Sequence, residues 1–70
     1  MRPAEHVWAV SVPLQDGWRH HWTITGTMAR AVCRQGGVHY REDIDTDQRA
    51  RRCPHCMAGT PAPAWVRRAA

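Results

Sequence analysis

Residues 20 to 33 read His20-His21-Trp22-Thr23-Ile24-Thr25-Gly26-Thr27-Met28-Ala29-Arg30-Ala31-Val32-Cys33, and the pairing register of this stretch decides the fold. Aromatic and β-branched residues lead into a Gly-Thr pair, and a second run leaves it. Glycine at the first central position suits a type II′ turn, so residues 20 to 25 and 28 to 34 read as the two strands of one hairpin. With Gly26-Thr27 as the turn, Thr25 faces Met28, Ile24 faces Ala29, Trp22 faces Ala31 and His20 faces Cys33. One face carries His20, Trp22, Ile24, Ala29, Ala31 and Cys33 and reads as core. The other carries His21, Thr23, Thr25, Met28, Arg30 and Val32. Directly opposed residues have Cα atoms roughly 4.5–5.5 Å apart, so an imidazole at 20 and a thiolate at 33 can share one tetrahedral ion. A one-residue bulge would shift the register and bring in His21 instead; His20 is preferred and His21 is the alternative.

Twenty residues beyond Cys33 lies the knuckle Cys53-Pro54-His55-Cys56. A CxxC with Pro as its first spacer is a tight turn in which two thiolates converge while backbone N–H groups point at the sulfurs. His20, Cys33, Cys53 and Cys56 together have the spacing of a structural zinc site with three thiolates and one imidazole. Zinc is the default for such a donor set, being redox-inert and tetrahedral. A rubredoxin-like iron site or an ordinary iron–sulfur cluster would want four cysteines, and the chain has three. His55, inside the knuckle, reads as a spacer.

Size calls for a staple, and a metal is one. A chain of 70 residues allows one small domain, and a domain of that size buries only ~60% of the surface its unfolded chain exposes. The core formers are thin: no Phe, two Ile, one Leu and four Trp. Burial and ordering entropy nearly cancel at this length, whereas a structural zinc contributes on the order of 10–16 kcal/mol of folding free energy. A disulfide framework would serve a secreted protein, but the cysteine count is odd. There is also no signal peptide and no apolar run long enough to cross a membrane, so the reading is cytoplasmic, with cysteines as ligands.

Upstream, residues 5 to 12 alternate as a strand, His6, Trp8, Val10 and Val12 on one face and Val7, Ala9 and Ser11 on the other. Pro13 and Gly17 bracket a polar turn. Downstream, Gly36-Gly37 suits a type I′ turn into a strand from Val38 to Glu42. That register sets Cys33 opposite Tyr40 and Arg30 opposite Asp43, pairs Arg34 with His39 at the surface, and lets Tyr40 cover the site beside Trp22. The expected fold class is thus a small β-rich, zinc-stapled domain: an antiparallel meander closed by a C-terminal CxxC knuckle, spanning residues 1–58. Residues 59–70, rich in Pro and Ala, read as a flexible tail.

Function is less legible. Every one of the ten basic residues is Arg, and the formal net charge is +4 with a pI near 9.8, which favours contact with phosphate. Arg49, Arg51 and Arg52 precede the knuckle and are the candidate nucleic-acid contacts, although Glu42, Asp43, Asp45 and Asp47 blunt any uniformly positive face. Those aspartates do not make a calcium loop, because Gln48 and Pro54 occupy the positions that demand Gly and Glu. Trp8 and Trp22 fit core positions, while Trp18 and Trp65 read as exposed docking anchors. No nucleophile–base pair, phosphate loop or apolar carboxylate pair suggests an enzyme. Two readings remain: a regulatory module that binds DNA or RNA, and a protein–protein adaptor docking through Trp18, Trp65 and the tail.

On His20 (or His21), Cys33, Cys53 and Cys56, residues 20 to 57 resemble the zinc-ribbon-like mini-proteins of actinobacteria and their phages. In these a hairpin supplies an early His and Cys, and a late CxxC closes the site. The Arg- and Ala-rich composition agrees with a GC-rich source. The resemblance implies a zinc-bound fold and little about function. The chain departs from a full zinc ribbon in lacking a first CxxC knuckle.

Overall fold

The longest strand, β2 (Trp18–Thr25), is the axis around which everything else is arranged. Its even-numbered residues from His20 to Ile24 are buried, and its odd-numbered ones face outward. The computed structural model describes residues 3–62. β1 (Glu5–Ser11) pairs antiparallel with β2, Val7 opposite Trp22 and Ala9 opposite His20, so Val7, Ala9 and Ser11 form the inward face. β3 (Met28–Ala31) pairs on the other side with Trp22↔Ala31, Ile24↔Ala29 and Thr25↔Met28, the register expected from the Gly26-Thr27 turn. Gly26 takes a φ of +61° while Thr27 does not enter the left-handed region, as a type II′ turn requires.

Beyond these come β4 (Val38–Tyr40), a single 3₁₀ turn (Arg41–Asp43), β5 (Ile44–Asp45), β6 (Arg51–Arg52) and the helix α1 (Pro54–Ala58). The strands form a small, curled, largely antiparallel sheet in the order β4-β3-β2-β1-β5. β6 lies outside that path and pairs in parallel with the start of β2, Trp18 opposite Arg51 and Arg19 opposite Arg52. The core is Ala9, Trp22, Ile24, Ala29, Ala31, Cys33, Cys53, Cys56 and Ala62, with Val7, Trp8, Val32 and Ile44 packed against it. Four of these nine side chains are alanine, so the core is as thin as the composition implied.

The second hairpin differs from expectation. Gly36-Gly37 does not make a two-residue turn: β3 pairs with β4 as Met28↔Tyr40, Ala29↔His39 and Arg30↔Val38. β3 also stops at Ala31, where the chain turns so that Arg34 N–H donates to Ala31 O and Arg34 takes a φ of +60°. This wide turn aims Cys33 at His20, with Cys33 Sγ 3.4 Å from His20 Nδ1. The resulting shift is odd, and an odd shift exchanges the two faces of a strand. His39 therefore points inward and is buried, while Tyr40 is 56% exposed and does not cover the site. In this register Arg30 stands opposite Val38 rather than Asp43, and the expected Arg34–His39 surface pair gives way to a buried His39.

His39 fills the place expected of Tyr40. Its ring meets Trp22 edge to face at 5.0 Å, and Nδ1 lies 3.2 Å from Ser11 Oγ. Ser11 Oγ accepts from Leu14 N–H and keeps both a hydrogen and a second lone pair with which to pair His39 Nδ1. That buried Nε2 has no hydrogen-bond partner among the described residues. Gly36 lies against it at a φ of +77°, where an added Cβ would come within 2.6 Å of Nε2.

The segment assigned to the tail begins in order. α1 ends at Gly59 in the left-handed region, Thr60 N–H donates to His55 O, and Ala62 N–H donates to Cys33 O. Ala62 is buried in the core. The remainder of the expected tail, including Trp65, lies outside the described residues.

Candidate metal centre

Three separate pieces of local structure converge on one point behind β2. His20 is placed by the alternation of β2, and the turn after β3 delivers Cys33. Cys53 arrives on the chain leaving β6, where its N–H donates to Arg19 O at 2.7 Å. That hydrogen bond extends the parallel β2–β6 pairing by one residue and sets Cys53 beside His20. Pro54 then occupies the first turn of α1, where its missing N–H costs nothing, and one turn of helix brings Cys56 round to the same side.

All four sequence-expected ligands come together. One ligand atom from each of His20, Cys33, Cys53 and Cys56 lies within 4.8 Å of the other three, and all four residues are buried. His20 Nδ1 is 3.4 Å from Cys33 Sγ and 3.7 Å from Cys56 Sγ. A tetrahedral ion about 2.3 Å from sulfur and about 2.0–2.1 Å from nitrogen has a sulfur–nitrogen edge of about 3.6 Å. The observed separations straddle it, so the group could hold a metal ion. The side chain of His21, the alternative ligand, lies on the opposite face of β2 and is not among the grouped ligands, and the β2–β3 register runs without a bulge.

Backbone donors are directed at all three sulfurs. Backbone hydrogen bonds from Gln35 to Cys33, from Cys56 and His55 to Cys53, and from His21 and Cys33 to Cys56 all favour thiolate. A hydrogen bond with Cys33 is the largest influence on Cys56, which with the His20 contact pulls its thiol down to about 3. The same Cys33–Cys56 hydrogen bond, with burial, pushes Cys33 up, and burial pushes Cys53 up. Burial opposes the charged form of His20, but hydrogen bonds to Cys56 and Asp16 outweigh it and raise its pKa.

Asp16 is the residue that sequence reasoning missed. Its Oδ2 accepts from His20 Nε2 at 2.8 Å, which fixes the ring orientation and leaves Nδ1 free to face the sulfurs. Its Oδ1 accepts from Trp18 N–H at 3.0 Å, so the turn entering β2 holds the carboxylate in place. A carboxylate behind a ligating histidine is the usual outer partner of a protein metal site. From sequence, Asp16-Gly17 carries only a generic turn signal; the cue was that a buried ligand histidine needs an acceptor for its second nitrogen.

The remaining candidates are dispersed. His55 is not among the grouped ligands. Arg49 pairs with Asp47 at 3.3 Å, Arg51 is exposed on β6, and the Arg52 guanidinium lies 4.7 Å from the centre of the Trp8 ring. Trp8 is only half-buried, unlike Trp22, and Trp18 is 38% exposed. No helix among the described residues is long and apolar enough to cross a membrane. Comparison with known protein families, curated proteins and solved structures finds no match to this chain.

Proposed function

We propose that this chain is a zinc-stapled mini-domain without catalytic activity, acting in the cytoplasm as a small accessory or regulatory module on nucleic acid. The observation that carries the zinc reading is the convergence of three buried sulfurs and one imidazole nitrogen within 4.8 Å of one another, with two sulfur–nitrogen separations close to a tetrahedral edge. Soft thiolates with imidazole select zinc among redox-inert ions. Four protein ligands leave no open coordination position for substrate, which supports a structural ion. The arrangement keeps one CxxC knuckle of a zinc ribbon and replaces the other with a hairpin.

The nucleic-acid reading rests on the charge of +4 and on the position of Arg51 and Arg52, exposed on a strand anchored to β2 just before Cys53. Metal closure would fix their backbone and lower the entropy lost on binding. Metal analysis should return one zinc per chain. Filter binding across salt concentrations should show affinity that weakens when Arg49, Arg51 and Arg52 are all replaced by Ala, for every sequence alike, with the salt slope falling by about one for each phosphate no longer engaged. Affinity that is absent, or indifferent to salt and to the triple change, sinks the nucleic-acid part and leaves the zinc part standing. The second reading, a protein adaptor, is favoured by Trp18 at 38% exposure and predicts loss of a protein partner on Trp18→Ala.

A further inference from the structure

The sheet face turned away from the metal centre carries an ordered column of rings. Trp8 and His21 are directly opposed across β1 and β2 and stack at 5.0 Å with 22° between their planes. His6 continues the column over His21 at 5.7 Å, and the Arg52 guanidinium closes its other end over Trp8 at 4.7 Å. Trp8 packs partly against the core, whereas the side chains of His6, His21 and Arg52 belong neither to the core nor to the grouped ligands. Cross-strand register places Thr23 opposite both His6 and Arg30, so Arg30 stands on the same face. Arg30 is exposed, makes no ion pair among the described residues, and lines a shallow groove of about 270 Å³ with Thr23, Thr25, Met28 and Val38.

Charge on this face is mainly positive. Among the carboxylates, Asp16 is held by His20, Glu5 by Arg41 and Asp47 by Arg49. Within the described strands, only Asp45, opposite Val10 on the edge strand β5, has a register that brings it to this side. Rings beside unpaired guanidinium suit a polyanion that also offers flat π-faces. A duplex hides its bases, and reading its major groove takes a protruding helix or ribbon, whereas α1 has five residues and is committed to the metal centre. A single strand can splay its bases onto a sheet and lay its phosphates along the arginines.

We propose that this outer sheet face binds single-stranded nucleic acid, with bases extending the His6–His21–Trp8 column and phosphates meeting Arg30 and Arg52. The proposal rests on the nucleic-acid reading above and narrows it to one strand and one face. The test is fluorescence anisotropy of the zinc-loaded full chain with oligo(dT) and oligo(U) of about 12 nucleotides, a length within the range of single-strand sites. A duplex of equal length and poly-glutamate serve as comparison probes. His6→Ala and Arg30→Ala are the informative variants, because both side chains are exposed and neither touches the core; zinc content and circular dichroism verify that each is folded.

Binding of either single strand should exceed duplex binding by about tenfold, and His6→Ala should lower it about fivefold or more, the size of one base stack. Arg30→Ala should lower the salt slope by about one. Duplex bound as tightly as single strand overturns this proposal and leaves the broader nucleic-acid reading intact. Poly-glutamate bound as tightly overturns it by showing that charge alone is read. Single-strand binding indifferent to both variants also overturns it, placing the binding surface elsewhere. Failure to bind any nucleic acid overturns both readings.

Discussion

Trp22 sits between two buried histidines, His20 at 5.9 Å and His39 at 5.0 Å, each ring edge-on to the indole. Their surroundings differ in one decisive way. Both nitrogens of His20 have defined work, Nε2 toward Asp16 and Nδ1 toward two sulfurs. His39 satisfies one nitrogen through Ser11 and leaves the other against Gly36, with no hydrogen-bond partner among the described residues. Burial alone therefore does not mark a ligand. What marks it is a carboxylate behind the ring and thiols in front of it, so the two positions should fail in different ways.

The largest effect is expected at the proposed zinc site. Chelation of the purified protein, or His20→Ala, should remove the fold altogether. A core built on Ala, one Trp and one Ile cannot replace a contribution on the order of 10–16 kcal/mol from a structural zinc. Loss of amide dispersion and of a cooperative melt is the readout. A chelated sample with an unchanged melting temperature would break the comparison at its strongest point.

His39→Ala should be costly in another way. Sequence reading places His39 at the surface and makes its removal harmless; the observed register puts it in the core against Trp22. Truncation there should cost about 2–3 kcal/mol, in the range of large-to-small core changes, while zinc stoichiometry stays unchanged. A melt equal to wild type would show that the ring contributes no packing. Gly36→Ala should reproduce part of this loss, since its Cβ would press on Nε2 and its backbone would hold a strained positive φ.

Asp16→Asn sharpens the other side. The amide can still occupy the site, but as a weaker acceptor for His20 Nε2. Zinc affinity should fall about 10–100-fold, as for other outer partners of ligating histidines, with the folded, zinc-loaded protein otherwise preserved. Competition against a chromophoric chelator measures it. An affinity within about twofold of wild type, far short of that range, would mean that the imidazole is oriented by packing alone.

The hairpin from His20 to Cys33 was legible because several local signals agreed: the glycine at the turn, the alternation on both strands and the ligand types. Residues 34 to 40 were not. Gly36 and Gly37 do adopt positive φ, but the two-residue turn they suggest conflicts with carrying Cys33 to the metal centre, a demand set by a histidine thirteen residues upstream and a knuckle twenty residues downstream. Non-local geometry prevailed over local propensity, and the odd shift exchanged His39 for Tyr40. Asp16 and Ala62 were missed for a related reason. An Asp-Gly turn and a Pro-Ala segment look the same in sequence whether or not they fold back onto a site.

The smallest effect is expected at His55, inside the knuckle itself. What the site uses from this residue is its backbone, whose hydrogen bond favours thiolate at Cys53 and whose carbonyl accepts from Thr60 N–H. Alanine keeps both groups, and at this second position of a short helix it is also the better helix former. The imidazole is half-buried, is not among the grouped ligands, and makes no hydrogen bond among the described residues. His55→Ala should therefore shift stability by no more than about 0.5 kcal/mol and leave zinc affinity unchanged. His55→Pro, in contrast, removes the N–H directed at Cys53 and should weaken zinc binding. Equal damage from both substitutions would show that the side chain enters the coordination sphere, and would make the knuckle histidine a rival to His20.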